Sequence, residues 1–299
     1  MADASLLIKS MPEDWRVTEI AGPVIDEEGP HSYFYVEKCG LNTLDVVRAL
    51  GHAFGIATKE IGYAGRKDKW AVTKQWFSAP TRLDWPDIPG TRCLETRRGR
   101  RKIRVGELIA NEFELTLRDV KRLGRDDFLT LCEGFQNGFG LQRVSADNVA
   151  RASNWLEDRR RRRPSRAQRG WYLSVLRSVL FNAVIVHRDS RIGLPRIVEG
   201  DVLVEGLPSG PMWGRGRSPA AGQARQIECE ALAPYQKLCD GLEYTGVKHD
   251  RRVMFVRPAN LQVTEVSSEI FILAFTLPKG AYATTMLSGL GEIRVGHND

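Results

Sequence analysis

Along the first 120 residues, apolar positions recur either every second residue or at helical spacing, with polar clusters between the segments. "DWRVTEI" (Asp14–Ile20) alternates, puts Trp15 and Val17 on one face, and predicts a strand. "SYFYVEK" (Ser32–Lys38) is aromatic and β-branched, again strand-like. "NTLDVVRALGHAFG" opens on a capping Asn42 or Thr43, carries Leu44, Val47 and Leu50 at helical spacing, and stops at Gly55, so a helix is expected. "NEFELTLRDV" (Asn111–Val120) alternates Phe113, Leu115 and Leu117 and predicts another strand.

The pattern then changes. From about Asp126 to Arg191 it is helical, interrupted by "NGFGLQR" (Asn137–Arg143) and by an arginine-rich loop. "YLSVLRSVLFNAVIVHR" (Tyr172–Arg188) is apolar nearly all round and predicts a buried helix. Glycine and proline dominate from Leu194 to Gln223, which predicts loop with short strands, and a further helical stretch follows near Cys229–Gly241. "EIFILAFTL" (Glu269–Leu277) predicts a strand buried on both faces, and "PKGAYATTML" a loop running into a helix. Strands at both ends with helices between them predict an α+β fold. One domain is made from residues 1–134 and 256–299, and a more helical domain, 135–255, is inserted.

Composition narrows the chemistry. The chain has 299 residues, enough for two domains, with 42% hydrophobic and 27% charged residues, as in globular proteins. No apolar run reaches eighteen residues, and the apolar stretch at the N-terminus is too short for a signal peptide, so a cytosolic protein is expected. Five scattered cysteines form no CxxC pair, five dispersed histidines fit no ligand spacing, and neither GxxxxGK[ST] nor a post-strand GxGxxG occurs. No metal and no nucleotide cofactor is expected. The net charge is +7. "RCLETRRGRRKIR" (Arg92–Arg104) carries +6 and "RRRRRPSRAQR" (Arg159–Arg169) +7, which leaves −6 for the rest of the chain. Positive charge gathered in this way suits a polyanion, and arginine's planar fork suits phosphate. Loops with such runs would contact phosphates rather than read bases.

"GYAGRKDKWAVTKQWF" (Gly62–Phe77) sets one carboxylate, Asp68, among Arg66, Lys67 and Lys69 on a glycine-bounded turn. The ordinary reading is a surface turn residue in a local ion pair. A metal ligand is disfavoured, since the surroundings are positive and hold no second carboxylate. The third reading is a nucleophile or base kept ionised by neighbouring cations, next to a polyanionic substrate. Chemistry on a nucleotide inside folded RNA requires taking it out of the stack, onto an aromatic platform with a polar group at its edge. Trp15, Phe113, Tyr282 and Asn111, near the ends of expected strands, are candidates, although an aromatic there is more commonly core.

On these residues the chain resembles the TruD-type transfer RNA pseudouridine synthases. "GYAGRKDKWAVTKQWF" is similar to the family's segment around its catalytic aspartate. "KSMPEDWRVTEI" (Lys9–Ile20, from its lysine) is similar to its N-terminal motif, "NEF" (Asn111–Phe113) to its N-x-F strand, and "LRSVLFNAV" (Leu176–Val184) to a helix of its inserted domain. "SGPMWG" (Ser209–Gly214) fits a loop near the insert, and "LPKGAYATTML" (Leu277–Leu287) its C-terminal segment. The resemblance implies a mixed-sheet catalytic core with an inserted domain. It also implies cleavage of a uridine N1–C1′ bond and rejoining through C5, without metal or organic cofactor, at position 13 in the D arm of transfer RNA.

By the same resemblance Asp68 is the nucleophile and Lys9 its ion-pair partner. Phe113 stacks on the target base, and Trp15, Asn111 and Tyr282 line the nucleotide pocket. The neighbouring cations would keep Asp68 ionised and meet RNA phosphates, and the glycines would let backbone approach the nucleotide. Arg97, Arg98, Arg100, Arg101 and Lys102, and Arg160, Arg161 and Arg162 of the second run, would bind RNA. The first run would matter more for turnover because it precedes the Asn111 strand. A monomer is expected. The chain departs from the family at "NGFGLQRVS" (Asn137–Ser145), at "LSGL" (Leu287–Leu290) and in its short insert, which bears on substrate choice. A non-catalytic RNA-binding protein on the same scaffold is the alternative, and a metal-dependent nuclease, lacking clustered carboxylates, a weaker one.

Overall fold

The computed structural model describes residues 4–20, 28–80, 84–157 and 164–297. The chain divides into two compact units: residues 1–133, 257–283 and 287–299, and residues 134–256 with 284–286. In the first unit, β1 (Ser5–Ile8), β2 (Trp15–Ile20), β3 (His31–Lys38), β4 (Gly62–Tyr63), β5 (Val72–Ala79), β6 (Thr91–Gly99) and β7 (Ala110–Lys121) come first. The second unit contributes β8 (Phe135–Gln136), β9 (Leu203–Val204), β10 (Leu207–Met212), β11 (Asp250–Val253) and β12 (Phe255–Val256). The chain then returns with β13 (Ala259–Ser267), β14 (Ile270–Pro278) and β15 (Glu292–Val295). The unit 1 strands form one sheet, ordered β13-β14-β7-β2-β5-β3-β6, with β1 and β15 paired off β7 and β4 off β5. Among the described residues of this sheet only β2–β5 and β1–β15 are parallel, so it is mixed.

Helix α1 (Thr43–Phe54) covers one face of this sheet. Val46, Val47 and Leu50 recur at three- and four-residue spacing and pack with Phe34, Val36 and Phe77. Fully burying each such aliphatic side chain contributes about 1.5–3 kcal/mol. The helix starts where Asp45 accepts a hydrogen bond from the Asn42 N–H at 2.9 Å, and it stops at Gly55, whose φ of +65° is left-handed. The opposite face carries a smaller cluster of Tyr33, Ala64, Trp76, Ile103 and Leu108.

Strand β14 corrects the expectation of a strand buried on both faces. Phe271, Leu273, Phe275 and Leu277 are buried, whereas Ile272, Ala274 and Thr276 are half-buried, because only one face of the sheet is covered there. The first arginine run is a loop only from Arg100 onward. Arg92, Arg97 and Arg98 lie on the edge strand β6, in register with Glu37, Tyr33 and Ser32 of β3. Strand pairing with an aromatic partner outweighs the repulsion of exposed charges, and charge on an edge strand also discourages further pairing.

In unit 2, α2 being Arg125–Leu129 in unit 1 and α3 Leu141–Val144, the helices α4 (Ala146–Glu157), α5 (Arg166–Ile192), α6 (Gly222–Leu232) and α7 (Gln236–Glu243) accompany a three-stranded sheet, β11-β10-β9, and a β8–β12 pair. Helix α5 is long and apolar enough in composition to span a membrane, and it is a core helix here: Leu173, Leu176, Leu180, Phe181, Val184 and Ile185 are buried. It is not apolar all round. Arg188 is 2% exposed and is held by Asp201 at 2.8 and 2.6 Å, while Val186 is 63% exposed.

Candidate active site

Asp68 sits on a loop that fills a gap in the sheet. Strand β5 pairs with β2 over Val72–Lys74 and then with β4 over Phe77–Ser78, so the chain from Gly62 to Ala71 passes where β2 and β5 part. Gly62 is required by packing. A Cβ there would lie 2.3 Å from Ser78 Oγ and 2.5 Å from the Ile103 carbonyl oxygen. The close approach that this glycine permits includes the protein's own backbone at Ile103.

The loop is tied at Gly65, Lys67, Asp68 and Trp70 by groups distant in sequence. Gln75 Nε2 donates to the Gly65 carbonyl at 3.0 Å. The Lys67 N–H donates to Thr43 Oγ1 at 2.8 Å, and Thr43 Oγ1 donates to Gln75 Oε1 at 2.8 Å. Lys38 Nζ donates to the Asp68 carbonyl at 2.8 Å and to the Leu41 carbonyl at 2.7 Å. Trp70 Nε1 donates to the Lys9 carbonyl at 3.0 Å, and its ring stacks on His297 with centroids 3.8 Å apart. Thr43 therefore does not cap α1; its hydroxyl joins the helix start to the loop.

The Asp68 carboxylate is left open on this frame. Its side chain is 53% exposed, and Oδ2 accepts from Lys9 Nζ at 2.7 Å. Lys9 follows β1 in a left-handed backbone conformation, φ +55°, an unfavourable state for a residue with a Cβ. Its ammonium lies 4.8 Å from the ring centroid of the buried Trp15, within cation–π range. Lys9, Asp68 and Trp15 are thus brought together.

Lys67 does not meet solvent, contrary to its expected role beside the carboxylate. It is 7% exposed and donates to Glu19 Oε2 at 3.0 Å and Asn111 Oδ1 at 2.9 Å. The cause is register: Glu19 of β2 pairs with Asn111 of β7, and two facing polar groups on a covered face draw in the one ammonium within reach. Burial pushes the Glu19 carboxyl up and Lys67 opposes this, while Glu19 Oε1 has no hydrogen-bond partner among the described residues. Arg66 and Lys69 are the loop cations that remain exposed.

Phe113 lies two residues along β7 from Asn111, opposite Val17, and stacks on Phe275 at 5.2 Å between centroids with 16° between planes. It is half-buried, so its ring is partly core and partly open. Tyr282 is half-buried and follows β14, whose Leu277 is paired with Asn111. Four expected pocket residues, Trp15, Asn111, Phe113 and Tyr282, therefore belong to adjoining strands or to the segment just after one.

Arg97 and Arg98 of the first basic run are not close to Asp68. Arg97 and Arg98 pair with Tyr33 and Ser32, whereas Lys38, at the other end of β3, reaches the Asp68 backbone. Five to six residues of strand at roughly 3.3 Å each place about 17–20 Å between these ends. Order along the chain misleads here because β6 runs antiparallel to β3. Arg97 pairs with Glu95 and lies 6.0 Å from the Trp76 ring centroid, Arg101 donates to Glu107 at 2.5 Å, and Lys102 donates to the Lys59 carbonyl. Arg160, Arg161 and Arg162 lie outside the described residues. Sequence reading missed Glu19, Lys38, Thr43 and Gln75, all buried polar residues on strands or at the start of a helix; polarity at positions facing the core was the available signal.

Lys38 carries a measurable consequence. Burial lowers its pKa from 10.5 to about 8, against the opposing pull of Asp68. Between these values the folded protein has released a proton that the unfolded chain still holds. The folded state therefore gains stability as pH rises through this window and loses it as pH falls through about 8. The gain from this group is at most about 3 kcal/mol. Urea unfolding at pH 7.5 and pH 10 is expected to show it in the wild type and not in Lys38→Met; equal pH dependence in both would contradict it.

The chain is similar over nearly its whole length to known proteins. A family model described as tRNA pseudouridine synthase D (TruD) matches residues 3–149. The tRNA pseudouridine synthase D of Cellvibrio japonicus is 34% identical over 304 residues, covering 96% of this chain and 90% of the relative. That of Methylococcus capsulatus is 35% identical over 324 residues, covering 95% and 90%. The crystal structure of a candidate tRNA pseudouridine synthase D from Methanosarcina mazei matches the fold with a TM-score of 0.67 at 20% identity, over 96% of this chain and 93% of that one. Identity of this level over nearly the whole of both chains makes this protein an enzyme of the tRNA pseudouridine synthase D family.

Proposed function

We propose that the protein converts one uridine of transfer RNA, at position 13 in the D arm, to pseudouridine, with Asp68 as the reacting carboxylate. The observation that carries this is a solvent-open carboxylate held by Lys9 on a loop whose backbone is fixed from β3, β5 and α1. Preorganisation of this kind is what a reaction at one sugar carbon requires. The N1–C1′ bond breaks, the base turns, and C5 bonds to C1′. C5 then loses its proton and N1 gains one, so atoms and electrons balance without an oxidant or cofactor. The carboxylate can begin the exchange by attack at C1′ or by taking the C2′ proton. Trp15, Asn111 and Tyr282 line the nucleotide, and Lys9 orients Asp68.

Arg97, Arg98, Arg100, Arg101 and Lys102 would hold phosphates of the same RNA away from the reacting uridine, and Arg160, Arg161 and Arg162 likewise. The enzyme would act in the cytosol as a monomer. Pseudouridine mapping of total transfer RNA with and without the protein tests the reading. Loss of one pseudouridine at position 13 is expected, and identical maps would overturn it.

Phe113 is the platform for the base in this reading. Phe113→Ala is expected to lower kcat/KM by roughly 5–150-fold, the equivalent of about 1–3 kcal/mol of stacking, while Phe113→Tyr keeps most activity. An unchanged kcat/KM in folded Phe113→Ala would make the residue simply a core partner of Phe275.

A further inference from the structure

The segment "GRGRSP" (Gly214–Pro219) follows the "SGPMWG" motif and has no part in the site above. In unit 2 it forms one wall of a depression of about 710 Å³, lined by Arg215, Gly216, Arg217 and Pro219 and, opposite, by Gly246 and Lys248–Arg251. Gly214 makes the two walls meet. A Cβ on it would lie 2.5 Å from the Val247 carbonyl oxygen and 2.7 Å from Lys248 backbone. That approach lets the Arg215 N–H donate to the Val247 carbonyl at 2.6 Å and the His249 N–H to the Arg215 carbonyl at 3.0 Å. Arg215 and Lys248 thereby sit side by side as bridge partners.

Charge in this depression is unbalanced. Arg215, Arg217 and Lys248 are exposed, and none has a carboxylate partner among the described residues. Arg251 is already committed, donating to Glu228 at 2.7 Å. Asp250 is the one carboxylate of the lining. Both ring nitrogens of His249 are buried and lack a partner among the described residues, as does Nε1 of Trp213, whose ring meets His249 edge-on at 5.6 Å. Burial, Arg251 and Arg177 all hold the His249 imidazole towards its neutral form, with Asp250 opposing.

We propose that this depression is a phosphate-binding pocket of the second unit, in which Arg215, Arg217 and Lys248 take backbone phosphates of the RNA substrate. Two guanidinium forks and an ammonium around a nucleotide-sized hollow fit phosphate oxygens, the forks bidentately. Neutral His249 beside them donates from one ring nitrogen. The RNA source rests on the function proposed above; the phosphate chemistry does not.

The test uses the full chain, unmodified tRNA transcripts and inorganic phosphate. Arg215→Gln/Arg217→Gln is expected to raise KM for the transcript about tenfold with kcat unchanged, and to flatten the log–log salt dependence of binding by up to about two units. Both side chains are exposed, so folding is retained. Arg225→Gln/Lys237→Gln, the same charge loss on exposed helical positions of that unit, is the control and leaves KM alone. A KM within twofold of wild type in the first variant overturns the RNA assignment. If millimolar phosphate then still shifts the His249 ring resonances in the wild type and not in the variant, the pocket holds free anions instead. If the wild type forms no pseudouridine in any transcript, the function proposed above fails. Filter binding of the same transcripts still decides the pocket: equal affinity in wild type and variant overturns it.

Discussion

Asp68→Asn is expected to reduce turnover by about 10³ or more while leaving transfer RNA affinity within a few-fold of wild type. The geometry separates the two effects. The ties that shape the loop use backbone atoms: the Asp68 carbonyl accepts from Lys38, the Lys67 N–H donates to Thr43, and the Gly65 carbonyl accepts from Gln75. None of them depends on the carboxylate. An asparagine Oδ1 can still accept from Lys9, so the ammonium keeps a partner and the loop its shape. What disappears is the negative charge and the nucleophilic or basic oxygen. Tritium release from a transcript labelled at uridine C5 measures the loss of the C5 proton directly. A single-turnover rate close to wild type in folded Asp68→Asn would remove this residue from the chemistry.

Lys67→Met is expected to be the most destabilising single change near the site, by about 3–5 kcal/mol. The ammonium is the cation that meets Glu19, whose side chain is fully buried, and it also donates to Asn111. Without it a carboxylate stays in the core unpaired, or takes up a proton at a cost. For a unit of this size such a loss corresponds to a fall in Tm of about 10 °C. Replacing both partners, Lys67→Met with Glu19→Leu, should recover most of the stability, because two apolar side chains of similar volume leave no stranded charge. Activity should not return with it, since Asn111 then loses the contact that orients its amide. Thermal unfolding of the two single variants and the double variant, read as a cycle, measures the coupling. Additive effects would show that the buried pair contributes nothing beyond its separate residues.

How far the sequence carried these conclusions varies by residue. Alternation placed Trp15 and Val17 on one face and Phe113, Leu115 and Leu117 on one strand; all are buried except Phe113, which is half-buried. The helix from Asn42 to Gly55 was legible because its stop is a glycine that must adopt positive φ. Asp68 stood out as a lone carboxylate among cations on a turn. These features are local, and local spacing encodes them.

The tertiary structure decided which cation serves which anion. Along the chain Lys67 and Lys69 flank Asp68, yet the ammonium on its carboxylate comes from Lys9, 59 positions away, a pairing that the family resemblance implied and no spacing encodes, and Lys67 turns inward to Glu19. No periodicity can report this, because it depends on β2 pairing with β5 on one side and β7 on the other. The same holds for Arg97 and Arg98, placed far from Asp68 by the antiparallel course of β6, and for the open face of β14. Sequence spacing determined which elements form and which of their faces are apolar. Strand order and register, set by long-range pairing, determined which polar groups meet and which side chains reach the Asp68 carboxylate.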